Sequence, residues 1–505
     1  MSPRPAVPKA VRTPGEAKGT PVSAERLLDQ LWDRHVIPGA TPVVSGAARY
    51  ELPDLLYVDV HLVHESTSAQ AFTGLRDGGT SGSSTGRVRR PDLSLATADH
   101  TVATGIRLIP KAAVPDMAGD KTRQALLLEH NAHDQRIEFR GRGSGRQGIV
   151  HIIAPEAGLI QPGMTAVCGD SHTSTLGAFG ALALGVGTTA VEQVLATQTL
   201  WLTRPKVLAA EFSGKLSPGV EAKDMVLALI QRIGNAGAQG HAIEFCGEAV
   251  RAASMDARMT LCNMAPEAGA RAAMVGPDEV TFGYLQGREF APRGALWDEA
   301  VDFWSSLGSS AQAVFDTHVR MDASRIKPMV TWGTSPAMSS AIDGHVPHAE
   351  SADNPAETAA ALEYMGLRGG ERLRDLKVDV VFIGSCTNAR LADLRSAARV
   401  LGNSRIARGV RAIVVPGSEQ VAAQAEREGL RRIFESAGFE WGLPGCSMCV
   451  AMNGDQVAAG QRCAATSNRN FRDRQGPGAR THLVSPSMAA AAALTGSFTD
   501  VREMA

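Results

Sequence analysis

The feature that most narrows the fold is the succession of elements in residues 378–438. VDVVFIG (378–384) is an apolar, β-branched run of strand length. ARLADLRSAARVL (389–401) follows at helical period, RAIVVPG (411–417) reads as a second strand, and EQVAAQAEREGLRRIFESAG (419–438) reads as one amphipathic helix with Val421, Leu430, Ile433 and Phe434 on its apolar side. Strand–helix–strand–helix predicts an α/β protein with a parallel sheet. In such sheets ligands sit beyond the C-terminal ends of the strands. Cys386, in GSCTN, follows the first strand directly. Cys446 and Cys449, in GLPGCSMCV, follow the second helix. The topology can therefore bring all three thiols to one edge.

Three thiols allow several chemistries. A structural zinc site needs four protein ligands; Cys463 could be the fourth, but no second Cys-x-x-Cys lies nearby. A redox dithiol would not need Cys386. A [4Fe–4S] cluster held by three cysteines would leave one iron open as a Lewis acid. Incidental core cysteines are the remaining reading, and they suit Cys168, Cys246 and Cys262, which lie in apolar or Ala-rich surroundings. Gly442, Gly445 and Ser447 read as room for a bulky inorganic group. Seven cysteines at irregular spacing do not form a secreted disulfide framework, so a reducing cytoplasm is the expected location.

Polar clusters punctuate the first half. VHESTSAQ holds His64, ATADH holds Asp99 and His100, and CGDSHTS holds Asp170, Ser171 and His172. An Asp beside a His can orient the ring and favour its cation, which suits proton transfer near neutral pH; a capping Asp beside a surface His is the plainer alternative. CNMAPEAG adds Asn263 and Glu267, with a helix start as its structural reading. SNRNFRDRQG holds Asn468, Arg469, Arg472 and Arg474, a guanidinium-rich loop suited to carboxylates or to phosphate.

At 505 residues the chain exceeds one hydrophobic core, and two or three subdomains are expected. A net charge of −1 gives no global field toward nucleic acid or anionic membrane. Residues 1–23, rich in Pro and basic side chains, read as a disordered tail without a signal-peptide core. LLYVDVHLV (55–63) reads as one strand, 76–91 as a Gly/Ser-rich surface insertion, and Gly177–Leu200 as a buried helix. The pattern weakens between Arg293 and Ala361, which suggests a connector. No internal repeat is detectable, and the apolar run at 176–187 is too short to span a bilayer.

In this order, YVDVHLVHESTSAQAF, RRPDLSLATADH, VCGDSHTSTLGAFGALALGVGTTAVEQVLATQTL, RMTLCNMAPEAGARA, VTWGTSP, FIGSCTNARLADLR, VVPGS, FEWGLPGCSMCVAMN and TSNRNFRDRQG resemble the aconitase superfamily, and within it the large subunits of 3-isopropylmalate dehydratases. The resemblance runs from about Ala24 to Glu503. It implies a three-subdomain α/β/α architecture with parallel sheets around a central [4Fe–4S] site, lacking the swivelling fourth domain. The divisions expected are 24–325 (two subdomains carrying acid–base and substrate residues), a connector at 326–370, and 371–505 (cluster cysteines and arginine loop).

Carried over by position, the resemblance implies Cys386, Cys446 and Cys449 as ligands of one [4Fe–4S] cluster. It implies Asp99, His100, His151, Asp170, His172 and Glu267 as catalytic groups. His64, Ser171, Asn263, Asn468, Arg469 and Arg474 are implied as substrate contacts. The implied reaction is dehydration and rehydration of a substituted malate, interconverting 2- and 3-isopropylmalate in leucine biosynthesis. A separate small subunit would carry the swivelling domain, with neither membrane nor nucleic acid as partner. Thr101, Ala103 and Pro266 depart from the usual isopropylmalate pattern. They keep open a paralogue acting on homocitrate or another alkyl- or arylmalate; a cluster-dependent RNA-binding regulator is the reading of a different class.

Overall fold

The computed structural model describes residues 25–40, 52–78, 86–106 and 118–504. The expected N-terminal tail and residues 79–85 of the Gly/Ser insertion lie outside the described residues.

Three parallel sheets organise the chain. The first runs Glu138–Phe139, Ser94–Thr97, Val60–His64, Thr165–Cys168, Leu182–Gly185 across its width. The second runs Ala272–Val275, His241–Cys246, Lys206–Ser213, Thr317–Asp322. The third runs Glu440–Trp441, Arg411–Val414, Val380–Ile383, Arg462–Ala465, Arg480–Leu483. Each starts at an inner strand, adds two strands on one side, and then crosses to the other side. The sequence shows no repeat, yet one winding recurs three times. Side chains need only satisfy burial at each site, so the topology can persist without shared residues.

Strands buried on both faces read as continuous apolar runs, and Val380–Ile383 and Thr165–Cys168 are fully buried. In the first and third sheets the order reverses beside the inner strand, between Val60–His64 and Thr165–Cys168 and between Val380–Ile383 and Arg462–Ala465. Crevices at such reversals are where α/β proteins place ligands. Gly148 ties the two sheets together: it bridges to Ser418, and a Cβ there would lie 2.6 Å from the Gly417 carbonyl oxygen.

Four expected elements are corrected. LLYVDVHLV is two strands, Asp54–Tyr57 and Val60–His64, because Asp59 pins the turn between them: its carboxylate accepts from the Thr165 amide (2.8 Å) and pairs with His35 (2.8 Å). Gly177–Leu200 is not one helix. It holds the end of a 3-10 segment, strand Leu182–Gly185, helix Thr188–Thr197 and the start of strand Thr199–Leu202. Gly180, at φ 72°, ends the 3-10 segment, and a Cβ on Gly177 would stand 1.7 Å from the Ala273 carbonyl oxygen. Small residues here mark close approach of backbones rather than a continuous helix. The helix expected at 419–438 breaks into Glu419–Arg427 and Leu430–Ala437 at Gly429, φ 72°. The segment from Arg293 to Ala361 holds helix Ala295–Ser305 and the sheet-edge strand Thr317–Asp322. That strand alternates half-buried and exposed residues, so its pattern is too polar to read as core. No helix among the described residues is long and apolar enough to cross a membrane.

Candidate functional site

Every strand end that faces the two crevices carries a polar turn. Strand Val60–His64 ends in His64, strand Ser94–Thr97 leads to Asp99 and His100, and strand Thr165–Cys168 leads to Asp170 and His172. From the third sheet, Val380–Ile383 leads to Cys386, Glu440–Trp441 to Cys446 and Cys449, and Arg462–Ala465 to Asn468 and Arg469. The second sheet contributes from the opposite end: Asn263 closes helix Met255–Asn263, and Glu267 lies in the 3-10 turn Ala265–Ala268 that leads into strand Ala272–Val275. Asn263 ends a helix, and Glu267 sits in the first turn of the short 3-10 helix that follows, as the helix-start reading expects for an acid.

The groups meet around one small cavity lined by His100, His151, Asp170, His172, Cys386, Cys446, Cys449, Asn468 and Arg474 together with Ile149 and Val450. One wall is a ladder of alternating charge. Asp99 Oδ1 meets His100 Nδ1 at 2.6 Å, and His100 Nε2 faces Asp170 Oδ2 at 3.3 Å. Asp170 Oδ1 holds His172 Nδ1 at 3.1 Å and faces His151 Nε2 at 3.6 Å. His172 Nε2 reaches Glu267 Oε1 at 3.1 Å, and Arg469 Nε donates to the same oxygen at 2.7 Å. A second Arg469 nitrogen donates to the Ser171 hydroxyl, 2.8 Å away.

Burial alone would neutralise these groups; their neighbours overrule it. Burial favours neutral His100, but Asp99 and Asp170 raise it well above its ordinary value. Asp170 is buried too, yet three histidines hold it well below the usual carboxylate range. His172, lowered by burial and raised more by Glu267 and Asp170, stands at about 9. Glu267 is held low by His172 and Arg469 against the effect of burial. His151 goes the other way, because burial outweighs Asp170 and lowers it. The wall thus pairs cationic His100 and His172 with ionised carboxylates.

Linkage gives the sign of a pH effect. A raised His172 stabilises the fold fully below its unfolded value near 6.5, and that contribution is lost as pH rises through about 9. In the chain purified without iron, the thermal midpoint of wild type is expected to exceed that of His172→Gln most at pH 6. The corresponding difference in unfolding free energy should narrow by up to about 1.4 kcal/mol per pH unit toward 9. A gap independent of pH would count against the ladder.

The thiols line the same cavity. Cys386, Cys446 and Cys449 are buried and free of disulfide bonds. Burial pushes the Cys386 and Cys446 thiols up. Yet the Asn263 amide donates to Cys386 Sγ at 3.2 Å, and the Asn468 amide does so at 3.4 Å. Thr387 fixes the first of these by donating to Asn263 Oδ1 at 2.6 Å. Two amide donors on one sulfur suit a thiolate far better than a thiol, and a metal is what keeps a buried thiolate charged. The donor set therefore fits an iron–sulfur cluster on three cysteines. Ser385 and Ser447, flanking Cys386 and Cys446, sit at φ 85° and 49°, conformations that non-glycine residues keep only where surroundings enforce them. Asp455 supplies part of that enforcement, accepting from Ser447 Oγ (2.8 Å), Asn453 Nδ2 (2.8 Å) and Thr104 Oγ1.

Some sequence expectations land elsewhere. A Cβ on Gly442 would meet Val415 at 2.9 Å, and one on Gly445 would meet Val102 at 3.1 Å. These glycines admit the neighbouring chain rather than an inorganic group. His64 is buried, stacked behind His100 with ring centroids 4.9 Å apart, and does not line the cavity. Cys463 lies in the apolar core of the third sheet. Arg472 turns away, donating to the Ala360 carbonyl over the Tyr364 ring. Arg474 does line the cavity, and its Nε has no hydrogen-bond partner among the described residues.

Glu65 escapes sequence reasoning altogether. Its carboxylate, 1% exposed, accepts from the amides of Asp99 (3.2 Å), His100 (2.7 Å) and Thr101 (2.6 Å) and from the Thr101 hydroxyl (3.0 Å). It shapes the turn that presents His100. In sequence it looks like any acid in the first turn of a helix.

A parallel α/β scaffold that gathers three free thiols, two ion-paired histidines and an arginine loop around one cavity has the make-up of a cofactor-holding enzyme. A family model, the aconitase family (aconitate hydratase), matches residues 29–496, and the chain belongs to that family, whose members are hydro-lyases. Among solved structures, the chain is similar to the holo-form of Thermococcus kodakaraensis aconitase X, at 12% identity over 82% of this chain and 84% of that one, with a TM-score of 0.43.

Proposed function

We propose that this chain is the cluster-bearing large subunit of a 3-isopropylmalate dehydratase. It would interconvert 2- and 3-isopropylmalate by removing and returning water, with a small subunit as its obligate partner. The observation that carries the reading is one cavity whose lining holds three free cysteines, Cys386, Cys446 and Cys449, together with His100, Asp170 and His172 of the ion-paired ladder. Cys386, Cys446 and Cys449 would hold a [4Fe–4S] cluster. When bound on three cysteines, such a cluster supplies a Lewis-acidic iron for a substrate hydroxyl.

The remaining work falls to the chain's own side chains. His100, cationic between Asp99 and Asp170, would give a proton to a departing hydroxyl. Glu267, bridging His172 and Arg469, would hold a water proton. Arg474 keeps a donor free for a substrate carboxylate. Leu443 and Phe471, about half exposed on the loops carrying Cys446 and Asn468, offer apolar contact to a partner covering the site. A reducing cytoplasm would keep the thiols unbridged.

The test is anaerobic reconstitution with the small subunit encoded beside it, then assay on a panel of malates. Turnover of 2-isopropylmalate only when both subunits are present is expected. Activity of the chain alone at the same rate would refute the partner; preference for homocitrate or an arylmalate would transfer the assignment to a paralogue.

A further inference from the structure

Helix Ala222–Ile233 is buried along almost its whole length, and its second residue is a lysine. The Lys223 side chain is 1% exposed. An ammonium taken from water into such a place costs several kcal/mol unless well compensated, and an apolar residue there would be the simpler choice. Its hydrogen bonds go to two consecutive backbone carbonyls, Thr466 and Ser467. Burial lowers its pKa to about 7, and the nearby carboxylates of Asp393 and Asp224 pull the other way. The two carboxylates are already engaged by other groups: Asp393 by the Arg390 amide and Asn388 (2.9 Å each), Asp224 by the Met329 and Glu221 amides (2.8 Å each).

The two carbonyls immediately precede Asn468 and Arg469. One of these residues points its amide at Cys386 Sγ, and the other pairs with Glu267. Two adjacent peptide planes gripped by one ammonium leave the following residues little freedom in direction. We propose that Lys223 is a positioning residue: its buried amino group, bonded to two successive carbonyls, seats the turn that aims Asn468 and Arg469 into the site.

The experiment compares wild type with Lys223→Met and Lys223→Gln in the full chain, purified without iron and after anaerobic reconstitution. Hydrogen–deuterium exchange read by mass spectrometry is expected to quicken at least about tenfold in peptides covering residues 466–470 of the Met variant, and not elsewhere. The Gln variant, which keeps an amide donor, should exchange at an intermediate rate and serves if the Met variant does not fold. Unchanged exchange at 466–470 would overturn the proposal, as would quickening spread evenly along the chain. If wild type binds no iron, the cluster reading fails, and the exchange data still decide the role of Lys223.

Discussion

Serine in place of Cys386 is expected to leave a folded chain that holds no stable cluster and turns over no substrate. The change swaps sulfur for a smaller oxygen in a buried position, so circular dichroism should match wild type. A serine hydroxyl does not ionise in this range and cannot replace a thiolate as ligand. The Asn263 and Asn468 amides would then point at a neutral oxygen instead of an anion. Visible absorption and bound iron should fall to background. Turnover should drop by at least about 10⁴-fold, which corresponds to about 5.5 kcal/mol of transition-state stabilisation. A brown, active Cys386→Ser protein would remove this cysteine from the ligand set.

The second large effect is expected from Glu65→Ala. Three consecutive amides and one hydroxyl lose their shared acceptor. Each buried donor left unsatisfied costs about 1–3 kcal/mol, so a total of about 3–6 kcal/mol is expected, with water recovering part of it. Glu65→Gln keeps one acceptor oxygen and should lose markedly less. Because the turn carries His100, turnover should fall by about 10²–10³-fold even where the variant stays folded, the scale of losing a positioned acid. Chemical denaturation and steady-state kinetics measured on both variants check the two halves separately. A fully active Glu65→Ala protein would show that the turn holds its shape without the carboxylate.

The cysteines, the Asp–His pairs and the arginine loop were legible because each announces itself locally: a reactive side chain in a short polar turn between apolar runs. Their convergence was legible only as topology, from strands that must be parallel if helices separate them. Glu65 and Lys223 were not legible, because an acid or a lysine in the first turn of a helix is ordinary; only tertiary burial makes them unusual. The Gly177–Leu200 stretch misled for a related reason. Small apolar residues satisfy a buried helix and a buried strand equally well, and Gly177 is settled only by a carbonyl nearly a hundred residues later, that of Ala273. The glycines around Cys446 answered to Val415 and to neighbours at 99–106, which no local pattern records.

The order of the chain also sets a schedule. The first sheet, with Asp99, His100, Asp170 and His172, precedes the second in sequence, and the second precedes all three cysteines. During synthesis Asp99, His100, Asp170 and His172 therefore leave the ribosome well before the three cysteines. A chain stopped short of Cys386 would hold those four residues and none of the three thiols. A cluster held by the three cysteines could assemble only once Cys449 has been made, an order that comes from their places along the chain.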